Sequence, residues 1–123
     1  MRFPGIIPAV TTPFDATGAI DHEAFEQNLA ALLDAGVHGF VATGTMGEAG
    51  SLDAAERRSV VATAVRAAGG RVPVIAGISA GTATAASAYA VDAARAGAAA
   101  LMLLPPLGYR GDEREIVGSV RCV

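Results

Sequence analysis

An α/β barrel, represented by its first four strand–helix units, is the fold this sequence predicts, and three observations carry the prediction. Four short apolar runs alternate with four segments of helical periodicity. The glycines that close successive helices, Gly36, Gly69 and Gly97, stand 33 and 28 residues apart, close to the length of a strand–helix–strand crossover unit. The apolar runs are nearly continuous rather than alternating, as parallel strands covered on both faces read.

The first run, Ile6 to Val10, ends at Thr11-Thr12-Pro13, and the turn Asp15-Ala16-Thr17-Gly18 follows with the Asp and Gly such turns favour. Asp21 stands at an N-cap position, and Phe25, Leu29, Leu32 and Leu33 recur at helical spacing up to Gly36. The second run, Gly39 to Thr43, leads into the glycine-rich loop Gly44-Thr45-Met46-Gly47-Glu48-Ala49-Gly50. Asp53 and Glu56 then have the spacing of a capping box, ahead of a helix carrying Val60, Val61, Ala64 and Val65. The third run is Val72 to Ala76, followed by Gly77 to Gly81 and a third helix capped by Thr82 or Thr84, rich in alanine and closed by Gly97. The fourth run, Ala100 to Leu104, stops at Pro105-Pro106; a polar loop with Tyr109 and Arg110 follows, and Asp112 can cap a fourth helix.

Composition excludes several functions. The chain is 52% hydrophobic and 17% charged with a net charge of −3, which reads as folded and offers no basic footprint for nucleic acid or an anionic membrane. It has no Trp and two tyrosines, so stacking platforms for bases are scarce. Cys122 is the single cysteine, which excludes a disulfide framework and a four-thiolate metal site. No apolar signal region follows Met1, and a cytoplasmic location is expected. All nine basic residues are arginine, so chemistry that needs a lysine amine cannot be done by this chain alone.

A closed barrel takes eight such units and about 250 residues, and a doubly wound sheet five or six units. Four units with no closing element read as part of a larger fold, residues 1–123 being its N-terminal portion, cut within the fourth helix. In either architecture the site lies at the C-terminal ends of the strands. The loop Gly44-Thr45-Met46-Gly47-Glu48 offers backbone N–H groups, a hydroxyl and a carboxylate there, suited to a substrate carboxylate or an oxyanion. It has neither the Gly-x-Gly-x-x-Gly spacing of a dinucleotide site nor the Gly-Lys-Ser/Thr of a P-loop. The plain alternative is a rigid turn that Glu48 caps or braces. His22 and His38 are read as surface or packing residues, Met102 as core, and no metal site or cofactor is expected.

In order and spacing these segments resemble the dihydrodipicolinate synthase / N-acetylneuraminate lyase family. The matching pieces are Gly5-Ile6-Ile7-Pro8-Ala9-Val10-Thr11-Thr12-Pro13-Phe14-Asp15, Gly18-Ala19-Ile20-Asp21, Gly44-Thr45-Met46-Gly47-Glu48, Leu52 with Glu56-Arg57, Arg71-Val72-Pro73-Val74-Ile75-Ala76-Gly77, and Pro105-Pro106. The resemblance implies a (β/α)8 TIM barrel with a helical extension, usually a homotetramer. It implies aldol-type cleavage, condensation or dehydration of a small 2-keto acid such as pyruvate, through a Schiff base on a lysine near the end of the sixth strand, beyond Val123. Thr45 matches the proton-relay hydroxyl, and Met46 occupies the place of the residue that binds the keto-acid carboxylate; Gly47 and Glu48 match as they stand. Leu107 stands where the family often has an aromatic relay residue, for which Tyr109 is the nearby substitute. The catalytic candidates are therefore Thr45 and Tyr109, the substrate-binding candidates Gly44, Met46, Gly47 and Thr11, and the structural candidate Glu48. Met46 and Leu107 favour a lyase or dehydratase over the synthase. The chain by itself is expected to be inactive. A rival reading is a non-catalytic binding or regulatory protein that keeps part of the barrel; another is a phosphate-sugar barrel isomerase.

Overall fold

The computed structural model describes residues 2–3, 5–105 and 112–114. In chain order the described elements are α1 (His22–Asp34), β1 (Phe40–Ala42), a 3-10 turn (Ala49–Ser51), α2 (Ala54–Ala68), β2 (Val74–Gly77), α3 (Ala83–Ala96) and β3 (Ala100–Met102). Each helix begins where a side chain can satisfy an otherwise unpaired N–H. Asp21 accepts from Ala24 N at 2.9 Å. Asp53 and Glu56 form both halves of a capping box, at 2.8 and 2.9 Å. Thr82, not Thr84, accepts from Ala85 N at 3.1 Å. Caps of this kind are worth about 1 kcal/mol each. Gly69 and Gly97 end α2 and α3 in the left-handed conformation, at φ 56° and 97°.

The three strands are parallel and lie in chain order, β1-β2-β3, with Val41 opposite Ile75 and Ala76 opposite Leu101. Phe40, Ala42 and Val74 pack with Phe25 and Leu29 of α1 and with Val60, Ala64 and Ala68 of α2. Ala76 and Ile78 pack with Val61 of α2 and with Ala90 and Ala93 of α3. The small residues of α3 let it lie close to the sheet. Side chains alternate along a strand, so Val41, Ile75 and Met102 look to the opposite face. The described helices therefore cover one face of a sheet whose order follows the chain, the arrangement of a barrel sector. A doubly wound sheet carries helices on both faces.

The expected four strands are corrected to three. Ile6–Val10 runs parallel beside β1 but joins it through a single bridge, Ala9 to Val41. Val41 N donates to Pro8 O and Val10 N to Val41 O, both at 2.9 Å. The next rung needs an N–H at position 8, which proline lacks; His38 N reaches Ile6 O instead, at 2.8 Å. Proline acts likewise at the start of β2. That strand begins at Val74 rather than Val72, and Pro73 contributes only its carbonyl, to Phe40 N at 3.1 Å. Of the expected fourth helix, Asp112, Glu113 and Arg114 are described; the remainder lies outside the described residues. Among the described residues no helix is long and apolar enough to cross a membrane.

Candidate functional site

β1 delivers the glycine-rich loop to the C-terminal edge of the sheet. Thr43 leaves the strand at φ 53°, a conformation β-branched residues rarely adopt, at a strain of about 1–3 kcal/mol. Its hydroxyl, 2% exposed with its residue, lies 2.9 Å from Gly77 O and 2.7 Å from Ala42 O, either of which can accept its proton. The loop then closes on itself. Gly47 N and Ala49 N donate to Gly44 O at 3.1 and 3.3 Å, and Glu48 N to Thr45 O at 3.0 Å. The N–H groups of Gly44, Thr45 and Met46 have no hydrogen-bond partner among the described residues. Successive donors left open among the described residues at a strand end are the kind of group that holds a carboxylate or oxyanion.

A cleft of about 760 Å³ opens at the strand ends, walled by Gly44 and Thr45 from the first loop, Ser79 and Thr82 from the second, and Met102 and Leu104 from the third. The candidate residues distribute unevenly about it. Thr45 is exposed and lines the cleft. Gly44 is buried, and a Cβ there would stand 3.4 Å from Met102 Cε, so Met102, expected in the core, covers the loop from inside the cleft. Met46 is 61% exposed and does not line the cleft. Gly47 is buried against the first segment, its carbonyl accepting from Thr12 Oγ1 at 2.8 Å. Thr12 thus does the bracing, whereas Thr11 is exposed and lines a separate groove with Phe25 and Leu29 of α1. Glu48 takes φ 56° and its carbonyl accepts from Ser51 N at 2.9 Å, but its carboxylate makes no capping bond; it shapes the loop through its backbone. Tyr109 lies outside the described residues.

Arg57, which the sequence presented only as part of a motif, organises the far wall. It is 8% exposed. Its guanidinium donates to Ala49 O at 2.8 Å and Ser79 O at 3.2 Å, and lies 4.1 Å from the centroid of the Tyr89 ring. Ser79 Oγ in turn accepts from Leu104 N at 2.8 Å, so one chain of contacts links the ends of all three strands. Nothing in helical periodicity distinguishes such an arginine from a solvated one. Among the described residues no three His, Cys, Asp or Glu side chains gather as metal ligands. His22 Nδ1 is 3.1 Å from Thr63 Oγ1, and His38 Nδ1 accepts from Ile6 N at 3.0 Å, at the opposite end of the strands from the cleft.

The model of the dihydrodipicolinate synthetase family matches residues 2–120. The chain belongs to this family. A 4-hydroxy-tetrahydrodipicolinate synthase of Stenotrophomonas maltophilia strain R551-3 is 41% identical over 111 residues, 86% of this chain and 36% of the synthase. An uncharacterized DapA-like lyase of Halobacterium salinarum is 38% identical over 119 residues, 97% of this chain and 39% of the lyase. Among solved structures, the family's prophage protein YagE from E. coli K12, in complex with pyruvate, superposes with TM-score 0.91 at 30% identity, covering 100% of this chain and 43% of YagE. The chloride-inhibited dihydrodipicolinate synthase from Acinetobacter baumannii, complexed with pyruvate, gives TM-score 0.91 at 28% identity, covering 99% of this chain and 43% of the synthase. The chain thus spans about two-fifths of the length of the family relatives it matches.

Proposed function

We propose that these residues are the N-terminal part of a (β/α)8 lyase that acts on a small 2-keto acid of the pyruvate class. The observation that carries the reading is the Gly44–Glu48 loop: three successive N–H groups without a partner among the described residues, and the exposed Thr45 at one edge of a strand-end cleft. The N–H groups of Gly44, Thr45 and Met46 hold the substrate carboxylate. With Met46 in place of a hydroxyl residue, that recognition rests on the backbone. Gly47 sets the turn and Thr12 fixes it. The Thr45 hydroxyl passes a proton to and from the reacting carbon or its leaving oxygen, with Tyr109 as the second relay candidate. Thr11 contributes, on this reading, only by continuing the first strand end.

The electrophile is formed elsewhere. A Schiff base requires a lysine amine, and this chain has none; the reaction is completed by a lysine outside these residues, on a later strand of the barrel. The relatives bound to pyruvate support the substrate class. The whole protein is a cytoplasmic homotetramer on this reading. The test is to express the full reading frame, add pyruvate and borohydride, and locate the modification by peptide mass spectrometry. A reduced pyruvate adduct on a lysine beyond Val123 is expected. Pyruvate binding without an adduct refutes lysine chemistry and favours a binding protein, and the absence of both refutes the substrate class.

A further inference from the structure

We infer that Thr43 is a positioning residue for the candidate relay: its hydroxyl, bonded across the sheet to the Gly77 carbonyl, holds the left-handed turn that sets where Thr45 stands. The inference rests on the proposed role of Thr45. Continued as a strand, β1 would carry Gly44 and Thr45 straight past the sheet edge. At φ 53° the chain turns instead, and the next three N–H groups have no partner among the described residues. Glycine or asparagine would adopt this conformation with little strain, whereas threonine is among the poorest residues for it. A threonine here therefore needs a compensating contact; its hydroxyl reaches two carbonyls, Ala42 O at 2.7 Å and Gly77 O at 2.9 Å, and only the second ties the turn to the neighbouring strand.

The partner strand is shaped to receive it. A Cβ at position 77 would lie 2.3 Å from Thr43 O, 2.7 Å from Thr43 C and 3.0 Å from Gly44 Cα. The ends of β1 and β2 are thus joined twice, by the hydroxyl bond and by a backbone approach that glycine alone permits. Thr43 lines both a small cavity shared with Val61, Tyr89 and Ala93 and the inner end of the strand-end cleft. At 2% exposure it acts through Thr45 rather than on the substrate. A residue that merely filled space would serve equally well as valine.

That difference supplies the test, made on the protein expressed from its full reading frame. Thr43→Val keeps the branched shape and removes the donor; Thr43→Ser keeps the donor. Displacing a reacting group by about 1 Å costs about 100-fold, so kcat in Thr43→Val is expected to fall by about tenfold or more, with KM changing by about threefold or less. Thr43→Ser should restore kcat to about half of wild type or better, the hydroxyl bond being intact. Amide hydrogen exchange at Gly47 and Glu48, whose N–H groups donate to Gly44 O and Thr45 O, should be faster in Thr43→Val than in wild type and normal in Thr43→Ser. Equal kcat and equal exchange in wild type and Thr43→Val overturn the inference, as does a serine variant no better than valine. If Thr43→Val does not fold, Thr43→Ala decides the matter: it removes the donor and the branched bulk but keeps a Cβ that disfavours φ 53°, so wild-type turnover in it overturns the inference. If the wild-type protein turns over no 2-keto acid, the functional reading fails by itself, and exchange at Gly47 and Glu48 still decides whether the hydroxyl holds the loop.

Discussion

Replacing Arg57 by methionine in the full-length protein should destabilise it by about 3 kcal/mol. The side chain donates to the carbonyls of Ala49 and Ser79 and lies over the Tyr89 ring at 4.1 Å. Hydrogen bonds from a charged donor contribute about 1.5–3 kcal/mol each, and a partly desolvated cation–π contact about 1–2 kcal/mol. Against this stands the cost of burying the guanidinium, which is 8% exposed and whose Nε has no partner among the described residues. Methionine keeps most of the stem packing but leaves two carbonyls without their donor, so the net is about 2–4 kcal/mol. Lysine should recover about half at most, because one ammonium cannot reach two carbonyls and stack on a ring as a planar fork does. The assay is urea unfolding of wild type, R57M, R57K, Y89L and the R57M/Y89L double variant. The double-variant cycle should show a coupling of about 0.5–2 kcal/mol. An R57M protein with an unchanged midpoint, or zero coupling to Tyr89, would refute the account of the far wall.

Four further outcomes are expected. Thr45→Val should lower kcat about 100-fold with a smaller effect on KM; wild-type turnover sinks the relay role. Met46→Thr should leave the enzyme active and tighten or preserve pyruvate binding, and weaker pyruvate binding in a kinetic titration counts against backbone-led recognition. The 123-residue chain alone should form no borohydride-trapped pyruvate adduct, having no lysine; it should also lack a cooperative urea transition, because among the described residues the sheet's outer edges and the face opposite the helices are uncovered, and a monodisperse monomer with a sharp transition refutes this. Finally, hydrogen bonds from Thr17 hold the Asp15 carboxyl below its ordinary 3.8. A group with a lowered folded value stabilises above 3.8 and loses its contribution as pH falls through that lowered value. The difference in urea midpoint between wild type and Asp15→Ala should therefore be constant at neutral pH and shrink below 3.8, and a difference that grows with acid overturns it.

The parts of the fold legible in the sequence were those governed by local chemistry. Asp21, Asp53 with Glu56, and Gly97 mark helix ends because caps and left-handed terminators depend on a few adjacent residues. The turn at Asp15–Gly18 was legible for the same reason, its carboxylate collecting N–H bonds from Thr17 and Ala19. Pro8 lies in plain sight within the first run, but its effect depends on which carbonyl of β1 it would have faced, a matter of register. The same holds at the site. The loop Gly44–Glu48 stood out through its glycines and its place after a strand. Thr12 and Thr11 are indistinguishable without knowing which one faces Gly47. Thr43 reads as an ordinary strand residue, and the carbonyl its hydroxyl meets across the sheet, that of Gly77, lies 34 residues on. Arg57 owes its burial to the 3-10 turn and Tyr89, contacts that periodicity does not encode.

The agreement between sheet order and chain order has a consequence for how the protein is made. Each helix packs on the next, α1 on α2 and α2 on α3, and each strand pairs with its successor. Energetically the molecule is a one-dimensional array of nearest-neighbour couplings, like a solenoid repeat bent into an arc. Its contacts reach about one repeat unit along the chain, as in the pairing of Phe40 with Val74, so it can accrete from its N-terminus as the ribosome releases it, each new unit stabilising only the one before. The last unit added is always the weakest; in the proposed barrel, closure of the ring would give it a second neighbour and convert a gradual assembly into an all-or-none one.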